Sequence, residues 1–299
     1  MKKSFLRRIL ATILICFLLM ISGIFPLSAA ENERLSLSST DNLSSDLNYL
    51  KLLYSNCLDP ETLDEVINSY LSDNEFQSWY YQDKNAAISF VNEGLQNLSD
   101  ILQEQRNNSE TAVPYGGLFP NYTTAVYPVC QARTYWCGPA AAVQALIGAG
   151  IYTYGLSNYD AAQEIIANDS NTTTEGAYVG PLKDAMNHRI NAALGNNSLL
   201  YTYTPISSSI DQYTLVNKII GNSIQKDRPC VVSVLLKNLP YYTGSSNGGH
   251  YITIRAINGS TGTAVIVDPH YNSAYRGEHT VTYSQLRTML NGRTLIYAP

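Results

Sequence analysis

Cys137 sits where a thiol is made reactive. In the stretch YPVCQARTYWCGPAAAVQALIGAG it immediately precedes Gly138-Pro139 and a run of alanines that opens a helix. A thiol at a helix start feels the positive end of the helix dipole, which favours thiolate. The first-turn N–H groups, lacking intrahelical acceptors, are free to receive an oxyanion. Gln131, six residues earlier, brings a side-chain amide to the same hole. The competing reading is a buried structural cysteine, the common fate of an isolated thiol.

A base and its orienter stand in GGHYITIRAING followed by TAVIVDPHYN. His250 begins one strand and Asp268 ends the next, and neighbouring antiparallel strands bring such residues side by side. A carboxylate beside an imidazole, with a thiol as the third member, is the arrangement of nucleophilic acyl transfer. As structural residues, His250 would be a satisfied core histidine and Asp268 a turn cap before Pro269. Of the other histidines, His188 falls on a polar helix face and His279 in a charged turn. His270 is near enough to Asp268 to be its partner or a metal ligand, though Asp-Pro-His alone is weak evidence for either. No tight His/Cys/Asp/Glu spacing marks a metal site, and nothing calls for a cofactor.

The strings QARTYWCGPAA, GGHY and VDP, in that order, resemble papain-like cysteine peptidases. The closest branch is the bacteriocin-leader-processing (double-glycine) peptidases and their secreted relatives; the similarity runs over about residues 124–299. The resemblance implies that Cys137, opening the central helix, is the nucleophile. It also implies that His250 and Asp268 on adjacent strands complete a triad, and that Gln131 completes the oxyanion hole. It further implies a peptide or protein substrate and hydrolysis through a thioester. Two other classes remain open: a catalytically silent papain-fold binding module at the cell wall, and a cysteine-dependent acyltransferase or cell-wall amidase. For the last, Tyr-rich loops (Tyr152, Tyr154, Tyr201, Tyr203, Tyr241, Tyr242, Tyr271, Tyr275) would touch peptide or glycan.

Composition sets what must position these residues. The chain has 299 residues, 45% apolar and 14% charged, with 23 tyrosines, enough to bury a sizeable core and unlike a disordered sequence. Its net charge of −5 gives no reason to expect nucleic-acid binding. That figure averages three unlike segments. Residues 1–30 carry four basic and no acidic side chains. Residues 31–112 carry 15 acidic against 4 basic, and residues 113–299 carry 9 acidic against 11 basic.

The first segment reads as a signal peptide. Basic MKKSFLRR precedes an apolar run, and small residues at Ser28 and Ala30 point to cleavage after Ala30. No later stretch resembles a membrane helix, so a secreted or envelope-associated protein is expected. Cleavage leaves Cys57, Cys130, Cys137 and Cys230, too few for a disulfide scaffold, though a Cys130–Cys230 bridge is conceivable on paper. Residues 31–112 read as an acidic helical pro-region or accessory domain. Apolar stripes run through Leu43–Tyr54, from Leu63 to Leu71 and from Ile88 to Leu102, and a polar linker is expected at 103–110. A pro-region docked over the cleft and a constitutive helical subdomain both fit.

From residue 113 the texture turns to short β-branched runs. Strands are expected at 231–236, 251–257 and 263–267, the last two joined as a hairpin by Asn258-Gly259 and Thr261-Gly262. Helices are expected near 138–150, 159–168, 180–193, 211–225 and 283–291. The expected fold is α+β: a papain-like cysteine peptidase fold, its central Cys-bearing helix packed on an antiparallel sheet carrying His and Asp, after an all-helical N-terminal segment.

Overall fold

Helix formation in the first part of the chain follows from caps and apolar stripes. The computed structural model describes residues 43–109, 120–153, 155, 159–195 and 198–299. The expected signal segment, residues 31–42, part of the expected linker and Tyr154 lie outside the described residues. In α1 (Leu43–Tyr54) one face buries Leu43, Leu47, Leu50 and Tyr54. Asp59 caps α2 (Pro60–Ser72), its carboxylate accepting the Thr62 N–H at 2.9 Å with Pro60 in the first turn. Asp73 ends α2 and at once caps α3 (Asn74–Gln82), accepting from the N–H groups of Glu75 and Phe76. No helix was expected here, because only Phe76, Trp79 and Tyr80 are buried and the intervening residues are polar. α4 (Lys84–Ser109) buries Ile88, Val91, Leu95, Leu98 and Leu102 on the expected stripe. It then runs on through the stretch expected to be linker, where no Gly or Pro interrupts it.

The sheet comes from the remaining chain. In order follow β1 (Asn121–Thr123), α5 (Cys137–Gly148), α6 (Asp160–Asp169), α7 (Val179–Leu194) and β2 (Thr202–Pro205). A π-helix, Thr214–Gly221, leads into α8 (Asn222–Gln225). Then come β3 (Cys230–Leu235), β4 (Gly249–Asn258), β5 (Thr263–Asp268), β6 (Gly277–Thr282), α9 (Tyr283–Leu290) and β7 (Thr294–Tyr297). Seven strands among the described residues form one sheet in the order β2-β7-β3-β4-β5-β6, every pair antiparallel. β1 pairs with the far end of β4, Asn121 opposite Asn258. The β4–β5 hairpin is the expected one, with a register shift between Ile254 and Ala256. β1, β2, β6 and β7 were not foreseen. The first two and β7 are three or four residues long, and β6 is polar.

α5 is the centre of the core. Every residue from Gly138 to Ile147 is buried, as its run of Ala, Val, Leu and Ile requires of a helix apolar on all sides. It lies against β4, where the Thr253 hydroxyl donates to the Ala141 carbonyl at 3.0 Å. A Cβ at Gly138 would stand 2.8 Å from the Ala177 Cβ and 3.4 Å from the Tyr251 ring, so only glycine permits this approach.

The acidic helices share this core. α4 lies over β2, the terminal strand of the sheet, whose outer edge would otherwise present unpaired backbone groups. The Asn97 amide donates to the Tyr203 carbonyl at 2.6 Å, taking the place of a neighbouring strand. The Tyr203 ring stacks on Phe90 at 4.4 Å, and its hydroxyl donates to Glu93 at 2.8 Å. Glu65 on α2 accepts from Ser207 and Ser208.

The four described cysteines are unpaired. The Cys130–Cys230 bridge is not formed: Cys230 is buried on β3, where burial pushes its thiol up to about 12, and the Arg276 guanidinium donates to the Cys130 sulfur. Among the described residues no helix is long and apolar enough to cross a membrane.

Because Phe90 and Tyr203 join the helices to the sheet edge, Phe90→Ala is expected to cost about 3–5 kcal/mol. The wild-type chain is expected to unfold in one transition. Separate melting of helical and tertiary signals in circular dichroism would contradict this coupling.

Candidate active site

The loop before α5 determines how Cys137 is presented. Trp136 occupies the N-cap position without a side-chain cap hydrogen bond, leaving the first-turn N–H groups of α5 uncovered by any side chain. The Arg133 guanidinium sits 4.3 Å over the Trp136 ring, and the Trp136 N–H donates to the Arg133 carbonyl at 3.0 Å. Gln131 staples the same turn: its amide nitrogen donates to the carbonyls of Arg133 and Thr134, both at 2.8 Å. Its amide oxygen is buried with no partner among the described residues. The Gln131 N–H donates to the Pro269 carbonyl at 2.8 Å, tying this loop to the residue that follows Asp268. Cys137 itself is half-buried.

The sheet brings the second half of the site to it. Extending the register that pairs Thr253 with Val267 sets Asp268 opposite Ile252, diagonal to His250 on one face. His250 Nε2 and Asp268 Oδ1 are 2.8 Å apart, with both side chains buried. This occupies one ring nitrogen and turns the other side of the imidazole to Cys137, with which it interacts. The Asp268 carboxylate also accepts the Tyr241 hydroxyl at 2.7 Å and the His270 backbone N–H at 2.7 Å.

These contacts decide the charges. Burial alone would strip the proton from His250, but its bonds to Asp268 and Cys137 outweigh that and hold the imidazole up at about 10. Burial likewise opposes ionisation of Asp268, yet His250, Tyr241 and the His270 N–H together keep the carboxyl below its ordinary value. The pair is therefore imidazolium and carboxylate at neutral pH. Burial and the charge on His250 both depress the neighbouring His270, whose ring is 5.4 Å away.

Of the four residues singled out in the sequence, Cys137, His250 and Asp268 come together, while Gln131 spends its amide N–H groups on the loop before α5. His270 serves Asp268 through its backbone, not its ring. His279 lies on β6, not in a turn, and stacks on Tyr241 at 3.5 Å. His188 is exposed beside Asp169. Three supporting side chains went unforeseen. Tyr241, grouped with the ligand-contact tyrosines, holds Asp268 instead. Buried Gln163 braces the loop by accepting from Ala132 N–H and donating to the Cys130 carbonyl, both at 2.9 Å. Gln144 donates to the Val129 carbonyl. None carries a local signal, since each partner lies at least 15 residues away. No group of three metal-ligating side chains occurs among the described residues.

A thiol at an uncapped helix start, facing an antiparallel sheet that pairs His with Asp, defines the α+β, papain-like class of cysteine peptidases. Residues 123–291 match the Peptidase C39-like family, and the chain belongs to it. Among solved structures, it is similar to a double-glycine motif protease from an AMS/PCAT transporter in complex with the leader peptide. The identity is 15% and the TM-score 0.38, over 60% of this chain and 94% of that one. A putative C39-like peptidase from Bacillus anthracis aligns at 12% identity and TM-score 0.39, over 60% and 98%. No curated protein matches.

The ion pair makes stability depend on pH. The raised His250 contributes fully below the ordinary imidazole value of about 6.5 and progressively less as pH climbs through about 10. The lowered Asp268 contributes above its ordinary carboxylate range and loses that contribution in acid. Asp268→Ala, which leaves His250 buried without its counter-charge, is expected to destabilise by about 3–5 kcal/mol near neutral pH. Thermal melts of wild type and variant between pH 5 and 10 check this; curves that stay parallel across the range would contradict it.

Proposed function

We propose that the protein is a secreted cysteine peptidase that hydrolyses peptide bonds with Cys137 as nucleophile, His250 as acid and base, and Asp268 as orienter. The carrying observation is the buried His250 ring held between Asp268 and Cys137 at an uncapped helix start. A silent binding module has no use for that pair.

The Cys137 thiolate attacks the amide carbonyl, and the carbon–sulfur bond forms as the carbonyl π pair moves to oxygen. The Cys137 N–H at the start of α5 holds the oxyanion. Gln131 supplies a second donor by releasing one of its two loop carbonyls as the substrate oxygen arrives. His250 then protonates the leaving amine, the C–N bond breaks, and a thioester remains. Water attacks this thioester, giving its proton back to His250, and the acid product leaves as the thiolate returns. Asp268 keeps Nε2 engaged throughout, so the other ring nitrogen carries the shuttled proton.

Cys137→Ala is expected to abolish turnover of a peptide library without lowering the melting temperature, and Gln131→Ala to reduce kcat by about 10²–10³-fold with KM little changed. Cleavage that survives Cys137→Ala would refute the nucleophile. A melting loss in Gln131→Ala with kcat intact would make Gln131 a loop staple only.

Export rests on the basic, apolar and small-residue pattern of residues 1–30. The mature chain is expected to begin at Glu31, which N-terminal sequencing of the protein in the medium reads directly. Material found there with residues 1–30 still attached would exclude cleavage.

A further inference from the structure

One cavity is walled by both the acidic helices and the strand that carries His250. It lies between α3 and the sheet, walled by Trp79 on α3, Tyr178 before α7 and Tyr251 on β4. Asp73, Glu75 and Arg293 contribute its polar groups. Its place beside the reacting residues follows from three contacts. The Glu75 carboxylate packs on Gly249, where a Cβ would stand 2.6 Å from Oε1, and Gly249 precedes His250. The Tyr251 ring lines the cavity and follows His250. The Tyr251 hydroxyl donates to the carbonyl of Ala177 at 2.8 Å, and Ala177 abuts Gly138, the residue after Cys137. The cavity therefore flanks the start of β4 and the start of α5, the two ends that carry His250 and Cys137.

The charges in the cavity are unequally satisfied. Asp73 caps α3 and faces Arg293 at 3.9 Å, and Arg293 also donates to the Ser233 carbonyl and hydroxyl. Those two groups answer each other. Glu75, half-buried, receives no hydrogen bond and no ion pair on its carboxylate among the described residues. Burial, and then Asp73, push its carboxyl up to about 7; Arg293 opposes this shift and Glu175 adds to it. A cation would complete it. The aromatic walls describe the rest of it: Trp79 and Tyr178 stack at 5.3 Å into a preformed plate that suits a long apolar stem with a charged end.

We propose that this cavity is a specificity pocket for a lysine or arginine side chain of the substrate, with Glu75 as its counter-charge. The inference rests on the peptidase reading, and it makes residues 43–109 a lasting part of the enzyme rather than a pro-region to be removed. The acidic helices then supply one wall of the pocket, and the sheet supplies the other.

Two measurements on the full chain test it. The first is the ratio of kcat/KM for a lysine peptide over its norleucine analogue, at positions either side of the cleaved bond. Wild type is expected to favour lysine at one of them, and Glu75→Gln to lower that ratio about tenfold. The second needs no turnover: binding of the same two peptides to the Cys137→Ala protein by calorimetry, with and without Glu75→Gln. A lysine preference that Glu75→Gln leaves untouched in both measurements overturns the proposal, as does wild type binding both peptides alike. A rise in turnover of both peptides in Glu75→Gln also overturns it, since Glu75 would then be a plug in the cleft. Loss of the preference in binding, combined with cleavage that survives Cys137→Ala, refutes the nucleophile and leaves the pocket standing.

Discussion

A helix apolar on every side has to be buried on every side, and α5 imposes that demand on everything around it. Its first turn carries Cys137, so that end combines deep packing with a half-buried thiol. The fold reconciles the two by letting β4 and the 177–179 segment approach the helix start through Gly138. The same approach brings His250, at the beginning of β4, beside Cys137. The site is thus a by-product of how the core closes over one helix.

The ion pair is the second constraint, and it is costly in isolation. Burying an imidazolium and a carboxylate is repaid only when the remaining hydrogen-bond capacity is filled. Asp268 has three donors, from His250, Tyr241 and the His270 backbone, and Tyr241 is itself clamped under His279. The support radiates outward along β5 and β6 and through the Gln131–Pro269 link back to the loop before α5. His250, Asp268 and the loop before Cys137 are therefore held in one hydrogen-bonded frame.

What was legible in the sequence was local. The Cys-Gly-Pro start of a helix, the Asn-Gly hairpin and the Gly-Gly-His opening of a strand each write their physics within a few residues. Helix stripes with caps at Asp59 read just as directly. The rest depends on distant partners. Tyr241 looks like any loop tyrosine until Asp268 is brought to it, and α3 has too few buried residues to declare itself. Polar residues 103–110 read as a linker because nothing apolar recurs among them, yet their helix propensity carries α4 on to Ser109. β2 is short and ends in Pro205, and it becomes a strand because β7 lies on one side and Asn97 on the other.

The order of the parts along the chain has a consequence for biosynthesis. The thiol is made first and His250 roughly a hundred residues later, on a strand in the middle of the sheet whose partner β5, with Asp268, is made later still. Contacts so far apart form late in folding. A chain emerging from the ribosome carries Cys137 with neither imidazole nor carboxylate beside it. The Cys137 thiol therefore meets its imidazole and carboxylate neighbours only in the finished fold.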